Sequence, residues 1–87
     1  MSAGWRYEFS PHAVRDRDGL PREVQERIDE ALDRLVTDIR TCDVRKLQGQ
    51  TGAYRLRVGT YRILIAVDPA ARTYLIAKID HRRDAYR

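Results

Sequence analysis

The chain has 87 residues, of which 43% are hydrophobic and 34% are charged. This length and composition predict one small globular domain over residues 1–87 and argue against a disordered chain. A lone cysteine excludes an internal disulfide, and no apolar segment has the length of a signal peptide or a membrane span, so we expect a cytoplasmic protein.

The charge is distributed unevenly along the chain. Residues 1–39 contain six Lys or Arg and nine Asp or Glu, a net charge of −3, whereas residues 40–87 contain eleven and four, a net charge of +7. The last glutamate is Glu30. A basic half on a small domain favours a polyanionic partner, either nucleic acid or an acidic protein segment. A solvated basic surface fits the charge equally well.

The first half of the chain predicts a strand and two helices. Three aromatic residues between Trp5 and Phe9 alternate with polar ones, as in a half-buried strand. Ser10 and Pro11 are typical of a helix start, and this short helix ends at Gly19. A second helix begins at Pro21. Its apolar stripe has intervals of three and four and consists of Val24, Ile28, Ala31, Leu32, Leu35, Val36 and Ile39.

The second half predicts a polar loop from Arg40 to Thr51 and then three strands. These strands cover Ala53–Val58, Tyr61–Val67 and Thr73–Ile79. The two-residue linker Gly59-Thr60 is typical of a hairpin loop. The fold class is therefore α+β in the order β-α-α-β-β-β, with a helical hairpin on one face of a small, mainly antiparallel sheet.

The predicted hairpin gathers arginines on one face. Because side chains alternate along a strand, Arg55 and Arg57 share a face, and the intervening apolar residues lie on the other. With Gly59-Thr60 as the loop, Arg57 lies directly opposite Arg62. Like charges at opposed positions destabilise a sheet, and a phosphate or carboxylate bound between them reverses that effect. We therefore expect an anion site here, the alternative being solvated arginines that point apart.

The segment after the last strand is rich in polar side chains. The segment contains His81, and histidine is the only side-chain type whose unperturbed pKa lies near neutrality. Nearby guanidinium groups would lower the pKa of Tyr86. Arginine stays protonated, so it stabilises charge but does not accept a proton. This composition suits chemistry on a phosphodiester without a metal or cofactor, whereas a frayed basic C-terminus is the simpler explanation when these residues are taken alone. No spacing of His, Cys, Asp or Glu predicts a metal site.

Three blocks of the sequence together resemble the RelE/ParE superfamily of type II toxins. They are Lys46–Gly49, Tyr54–Arg62 and Asp80–Arg87. The resemblance extends over the whole chain, including the order of its elements. It implies a toxin held inactive by a cognate antitoxin, with operator DNA bound only through the antitoxin complex. RelE-type members act in the ribosomal A site, where the ribose 2′-hydroxyl of messenger RNA attacks the adjacent phosphate without a metal.

The resemblance also assigns functional residues in this chain. It implies a catalytic set formed by Arg62, Arg82, His81 and Tyr86. It implies a set of RNA-binding residues formed by Lys46, Arg55, Arg57 and Arg83. Some members have lysines where this hairpin has arginines, and others use a glutamate as the base, which is absent after Glu30. The general base is left open between His81 and Tyr86.

Two other functions are compatible with the same residues. The first is a ParE-like toxin that inhibits DNA gyrase by binding, without catalysis. The second is an interaction module whose basic face only docks an acidic antitoxin segment. All three hypotheses predict that an amphipathic acidic peptide covers the positive face.

Overall fold

The computed structural model describes residues 4–81, which form two helices on one face of a five-stranded sheet. The strands are β1 (Arg6–Phe9), β2 (Val44–Lys46), β3 (Ala53–Val58), β4 (Tyr61–Asp68) and β5 (Thr73–His81). The helices are α1 (Pro11–Asp18) and α2 (Arg22–Thr37), and a 3-10 turn covers Ile39–Thr41. The sheet order is β1-β5-β4-β3-β2, antiparallel except for the β1–β5 pair. The predicted α+β class is confirmed.

Two boundaries of the sequence prediction were wrong. The segment expected to be a loop from Arg40 to Thr51 contains β2, which pairs with β3 at the edge of the sheet. This strand has three residues, too few for the alternation of side chains to stand out in the sequence. The last strand extends to His81 rather than ending at Ile79, so His81 belongs to the sheet and not to a tail beyond it.

The beginning of α1 follows from its capping residues. The Ser10 hydroxyl accepts a hydrogen bond from the Ala13 backbone N–H at 3.1 Å, and Pro11 occupies the first turn. Ala13 is the buried residue of this helix. α1 is joined to α2 by side chains: Arg17 pairs with the Asp29 carboxylate, and the Gln25 amide donates to the Arg17 carbonyl at 2.8 Å. These bonds hold the two helices together above the sheet.

The apolar stripe of α2 forms one side of the core. Its fully buried members pack with buried residues from three strands of the sheet; the set is Ile28, Ala31, Leu32, Leu35, Leu56, Ile63, Ile65, Ile76 and Ile79. Ile39, predicted as the last member of the stripe, lies beyond the helix in the 3-10 turn and is 44% exposed. The helix ends at Thr37, whose hydroxyl donates to the Asp33 carbonyl at 2.7 Å.

A β-bulge in β5 sets which residues face the helices. Leu64 pairs with Lys78 and Ile65 pairs with Ile76, so Ala77 has no opposite residue on β4. The extra residue shifts the alternation by one position. As a result Ile76 and Ile79 are both buried, although they are three positions apart.

Candidate nucleic-acid interface

The hairpin that carries the predicted arginines has the expected register. β3 and β4 are joined by Gly59 and Thr60, and Gly59 has a φ of 60°. Glycine with a positive φ at the first loop position is typical of the type II′ turn, whose twist matches that of the strands. Arg57 pairs with Arg62 across the hairpin. The prediction that these two residues are directly opposed is confirmed.

The backbone of Arg57 shows that the two arginine side chains begin close together. Its N–H donates to the carbonyl of Asp43 at 2.9 Å, so its polar backbone groups point away from β4. Arg57 and Arg62 therefore form a non-hydrogen-bonded pair, in which the Cβ atoms are about 4.5–5.5 Å apart. Both guanidinium groups extend from one patch of the sheet surface.

A second arginine pair lies beside the first. Arg45 on β2 is opposite Arg55 on β3, and Arg55 shares its face with Arg57. We call the surface formed by Arg45, Arg55, Arg57 and Arg62 the arginine face. Arg45 was missed because β2 was not predicted. The sequence offered no clear signal for it, because β2 has only three residues.

The arginine face lies on the side of the sheet away from the helices. Its residues alternate with core residues such as Leu56 and Ile63, which are 1% and 0% exposed. The β5 residues that continue this face are Lys78, opposite Leu64, and Asp80, opposite Arg62. The sheet thus separates an apolar side, covered by the helices, from a basic side.

Carboxylates neutralise this face only in part. The Asp43 carboxylate lies 3.9 Å from Arg45 Nε and 3.8 Å from Arg57 Nε, and all three side chains are about half exposed or more. Asp80 is opposite Arg62, but its carboxylate lies 3.4 Å from Lys78 Nζ. Ion pairs at such distances and exposures contribute little.

Two arginines of the face have no acidic partner among residues 4–81. Neither Arg55 nor Arg62 is within 4.0 Å of a carboxylate in this part of the chain. A guanidinium group offers five N–H donors in a planar fork that matches phosphate and carboxylate oxygens. The arrangement can therefore bind an anion of extended shape, with Arg55 and Arg62 available to it.

His81 lies at the hairpin end of the sheet, on the helix side. It pairs with Tyr61, and the two rings are 4.6 Å apart in an edge-on arrangement. Its Nε2 atom is 3.2 Å from the Thr60 hydroxyl. These contacts fix the imidazole ring next to the loop between β3 and β4. Arg62 is one position away on β4, but its side chain projects from the other face.

Residues 7–86 of the chain match the sequence family described as the ParE toxin of the type II toxin–antitoxin system parDE. The chain belongs to this toxin family. Toxin RelE3 of Methanocaldococcus jannaschii is 29% identical to it over 83 residues, which cover 90% of this chain and 91% of that protein. The predicted membership of the RelE/ParE superfamily is confirmed.

Chains from solved toxin–antitoxin complexes have the same fold as this toxin over nearly its whole length. The toxin–antitoxin complex RelBE2 from Mycobacterium tuberculosis matches with a TM-score of 0.77 and 28% identity, covering 90% of this chain and 98% of that chain. The archaeal RelE–RelB complex from Pyrococcus horikoshii matches with a TM-score of 0.76 and 28% identity, covering 90% and 94%. The toxin thus shares its fold with proteins solved together with an antitoxin.

The structure of the toxin brings together only some of the predicted site residues. Arg55, Arg57 and Arg62 share the arginine face, whereas Lys46 pairs with Tyr54 and projects from the helix side of β2. His81 likewise projects from the helix side. The predicted residues Arg82, Arg83 and Tyr86 lie outside the described residues.

Two properties of the described part of the toxin bear on cofactors and membranes. Within residues 4–81, no group of three or more His, Cys, Asp or Glu side chains is arranged to hold a metal ion. Neither helix of this part combines the length and the apolar character that a membrane span requires.

Proposed function

We propose that this toxin is a ribosome-dependent endoribonuclease that binds messenger RNA on its arginine face and cleaves it in the ribosomal A site. The observation that carries the proposal is that two opposed arginine pairs, Arg45 with Arg55 and Arg57 with Arg62, lie on the sheet face that neither helix covers. Folding alone disfavours both pairs, whereas a phosphate backbone lying along the face stabilises them. Similarity to RelE toxins across nine-tenths of the chain supports the same function.

In the proposed reaction, the ribose 2′-hydroxyl attacks the adjacent phosphorus. The new O–P bond closes a cyclic phosphate, the bond to the 5′ oxygen of the next nucleotide breaks, and that oxygen takes up a proton. Arg62 and Arg82 stabilise the negative charge that develops on the phosphate oxygens. Arg55 and Arg57 hold the flanking backbone, and Arg45 extends this contact. Lys46, which projects from the helix side, and Arg83 add further contacts to the RNA backbone.

The proton acceptor of the proposed reaction is His81 or Tyr86. His81 is held by Thr60 and Tyr61, so its ring is oriented without a substrate. Since it projects from the helix side, the RNA must pass over the hairpin end to reach it. Replacing each candidate separately, His81→Ala and Tyr86→Phe, identifies the base as the one whose loss removes the acidic limb of the pH–rate profile, where protonation of the base lowers the rate.

We also propose that a cognate antitoxin silences the toxin by covering the arginine face. The relatives from Mycobacterium tuberculosis and Pyrococcus horikoshii were solved as complexes with RelB-type antitoxins. An acidic amphipathic segment would pair its carboxylates with the arginines that lack an acidic partner in residues 4–81. Because its proposed target is the ribosome, the toxin would act in the cytoplasm.

A cell-free translation extract tests the ribonuclease proposal. We expect the purified toxin to stop protein synthesis and to leave messenger RNA fragments whose ends map to the A site. Arg62→Ala and Arg82→Ala should each lower the cleavage rate at least a hundredfold with the fold retained. The matched control, Arg22→Ala, removes an exposed arginine on α2 and should leave cleavage unchanged. Intact messenger RNA beside folded toxin and active ribosomes would refute the proposal.

Inhibition of DNA gyrase is the second candidate function. The observation that favours it is the match to the ParE toxin family over residues 7–86. In this case the arginine face would bind its target without catalysis, and translation would continue in the extract. A supercoiling assay with purified gyrase separates the two functions, since only a gyrase inhibitor blocks the conversion of relaxed plasmid. A toxin active in neither assay would leave docking of an antitoxin as its role.

A further inference from the structure

β1 covers only the first part of the outer edge of β5, because β1 ends before β5 does. β1 pairs with β5 from Arg6 opposite Thr73 to Phe9 opposite Ile76. The chain then leaves the sheet at Ser10 and enters α1. From Ala77 to His81, this edge of β5 has no strand beside it within residues 4–81. Its backbone groups therefore need other hydrogen-bond partners.

The beginning and the body of α1 supply these partners. The Ser10 N–H donates to the Ile76 carbonyl at 2.9 Å, and the Ser10 hydroxyl donates to the carbonyl of the bulged Ala77, also at 2.9 Å. Further along α1, the Asp16 carboxylate accepts a hydrogen bond from the Ile79 N–H at 3.0 Å. The helix thus takes the place of a strand along the last part of β5.

The bond to Asp16 is the one nearest the end of β5. A carboxylate is a stronger acceptor than a carbonyl, and the Asp16 side chain is only 24% exposed. The same carboxylate lies 3.4 Å from His12 Nε2. Ile79 is itself 6% exposed, so without Asp16 its N–H group would be left largely buried and unpaired.

The position of this bond links α1 to the candidate interface. Ile79 directly precedes Asp80, which is opposite Arg62, and His81 follows next, against Tyr61 and Thr60. We propose that Asp16 is a positioning residue of the toxin: by holding the Ile79 backbone, it sets the place of His81 beside Tyr61 and Thr60. This inference rests on the proposed ribonuclease function, because His81 belongs to the proposed site.

Three variants test the inference. Asp16→Ala removes the acceptor, whereas Asp16→Asn keeps a side-chain oxygen at the same place without the charge. Asp18→Ala is the matched control, because it removes the same charge from the same helix at an exposed position. If Asp16→Ala does not fold, Asp16→Glu replaces it, since the added methylene displaces the carboxylate while keeping its charge.

Two measurements on these variants report separately on the position of Ile79 and His81 and on RNA cleavage. The first uses NMR without RNA: amide exchange of Ile79, and the nuclear Overhauser contact between the His81 and Tyr61 rings. We expect Asp16→Ala to speed Ile79 exchange at least tenfold relative to the other β5 amides and to weaken the ring contact. The second is cleavage on programmed ribosomes. Because Asp16 lies on α1, away from the arginine face that is proposed to bind RNA, kcat should fall at least tenfold and KM should change less than twofold.

The outcomes distinguish this inference from the proposed function. Asp16→Asn should recover at least a third of the wild-type kcat, and Asp18→Ala should match the wild type in both measurements. Unchanged NMR reporters in folded Asp16→Ala, or a kcat within twofold of wild type, would overturn the positioning role. If the wild-type toxin does not cleave RNA, the ribonuclease proposal fails, and the NMR reporters alone then decide whether Asp16 positions His81.

Discussion

Replacing Arg62 by glutamine separates the effect of the arginine face on folding from its effect on binding. Arg62 is opposite Arg57 in a non-hydrogen-bonded pair and has no carboxylate within 4.0 Å among residues 4–81. Arg62→Gln therefore removes a repulsion without breaking an ion pair in the described part of the chain. For scale, two like charges about 7 Å apart in water repel by about 0.6 kcal/mol. We expect the variant to be more stable at low salt by at most about 0.6 kcal/mol, because the lost attraction to Asp80, which is opposite Arg62 but pairs with Lys78, offsets part of the gain.

Salt provides an internal check on this value. At 1 M ionic strength the Debye length is about 3 Å, so the repulsion is screened and the gain in stability should fall to near zero. Urea unfolding of the wild type and of Arg62→Gln at low and high salt measures the difference. Arg22→Gln is the control: it removes an exposed arginine that lies 3.5 Å from Glu26, and it should cost up to about 0.5 kcal/mol.

Binding should change in the opposite direction. A short single-stranded RNA loses one phosphate contact in Arg62→Gln, so its affinity should fall about tenfold at 0.1 M salt. The slope of log K against log salt should become shallower by about 0.7. Fluorescence anisotropy over a salt series measures both. A loss of stability in Arg62→Gln, or an unchanged salt slope, would refute the reasoning that this pair is maintained for binding.

Three further predictions concern the scaffold. Ser10→Ala removes both the N-cap of α1 and the hydrogen bond to the Ala77 carbonyl. It should lower the free energy of unfolding by about 2 kcal/mol and Tm by several degrees. Calorimetry that shows no change in Tm would contradict this account. Leu32→Ala empties a fully buried site and should cost about 2–5 kcal/mol in urea unfolding, far more than any exposed substitution on α2. Burial, reinforced by Asp33, raises the pKa of Tyr7 above 10.0. The neutral Tyr7 hydroxyl therefore contributes to the free energy of unfolding below about pH 10, and this contribution is lost as the pH rises through the folded-state pKa. Because phenylalanine does not ionise, Tyr7→Phe should lose less stability than the wild type between about pH 9 and about pH 11.

Much of the arginine face could be predicted from residues close together in the sequence. The loop Gly59-Thr60 and the alternation on both sides of it determine which residues are opposed, so the pairing of Arg57 with Arg62 follows without knowledge of the rest of the chain. The stripe of α2 was equally clear over its length. Ile39 was misassigned because the stripe continues past the point where the helix ends.

The remaining features depend on contacts that no local pattern encodes. Arg45 joins the face only because a three-residue strand adds to the edge of the sheet. Lys46 and His81 were predicted as site residues together with the arginines, and their register places both on the helix side.

The sequence by itself therefore determined the fold class and one opposed arginine pair, because strand alternation and a short loop act over a few residues. Only the tertiary structure decided the second pair, the bulge at Ala77 and the bond from Asp16 to Ile79. That bond joins residues 63 positions apart, and it exists because β1 ends before β5 and leaves a backbone N–H for the helix to satisfy.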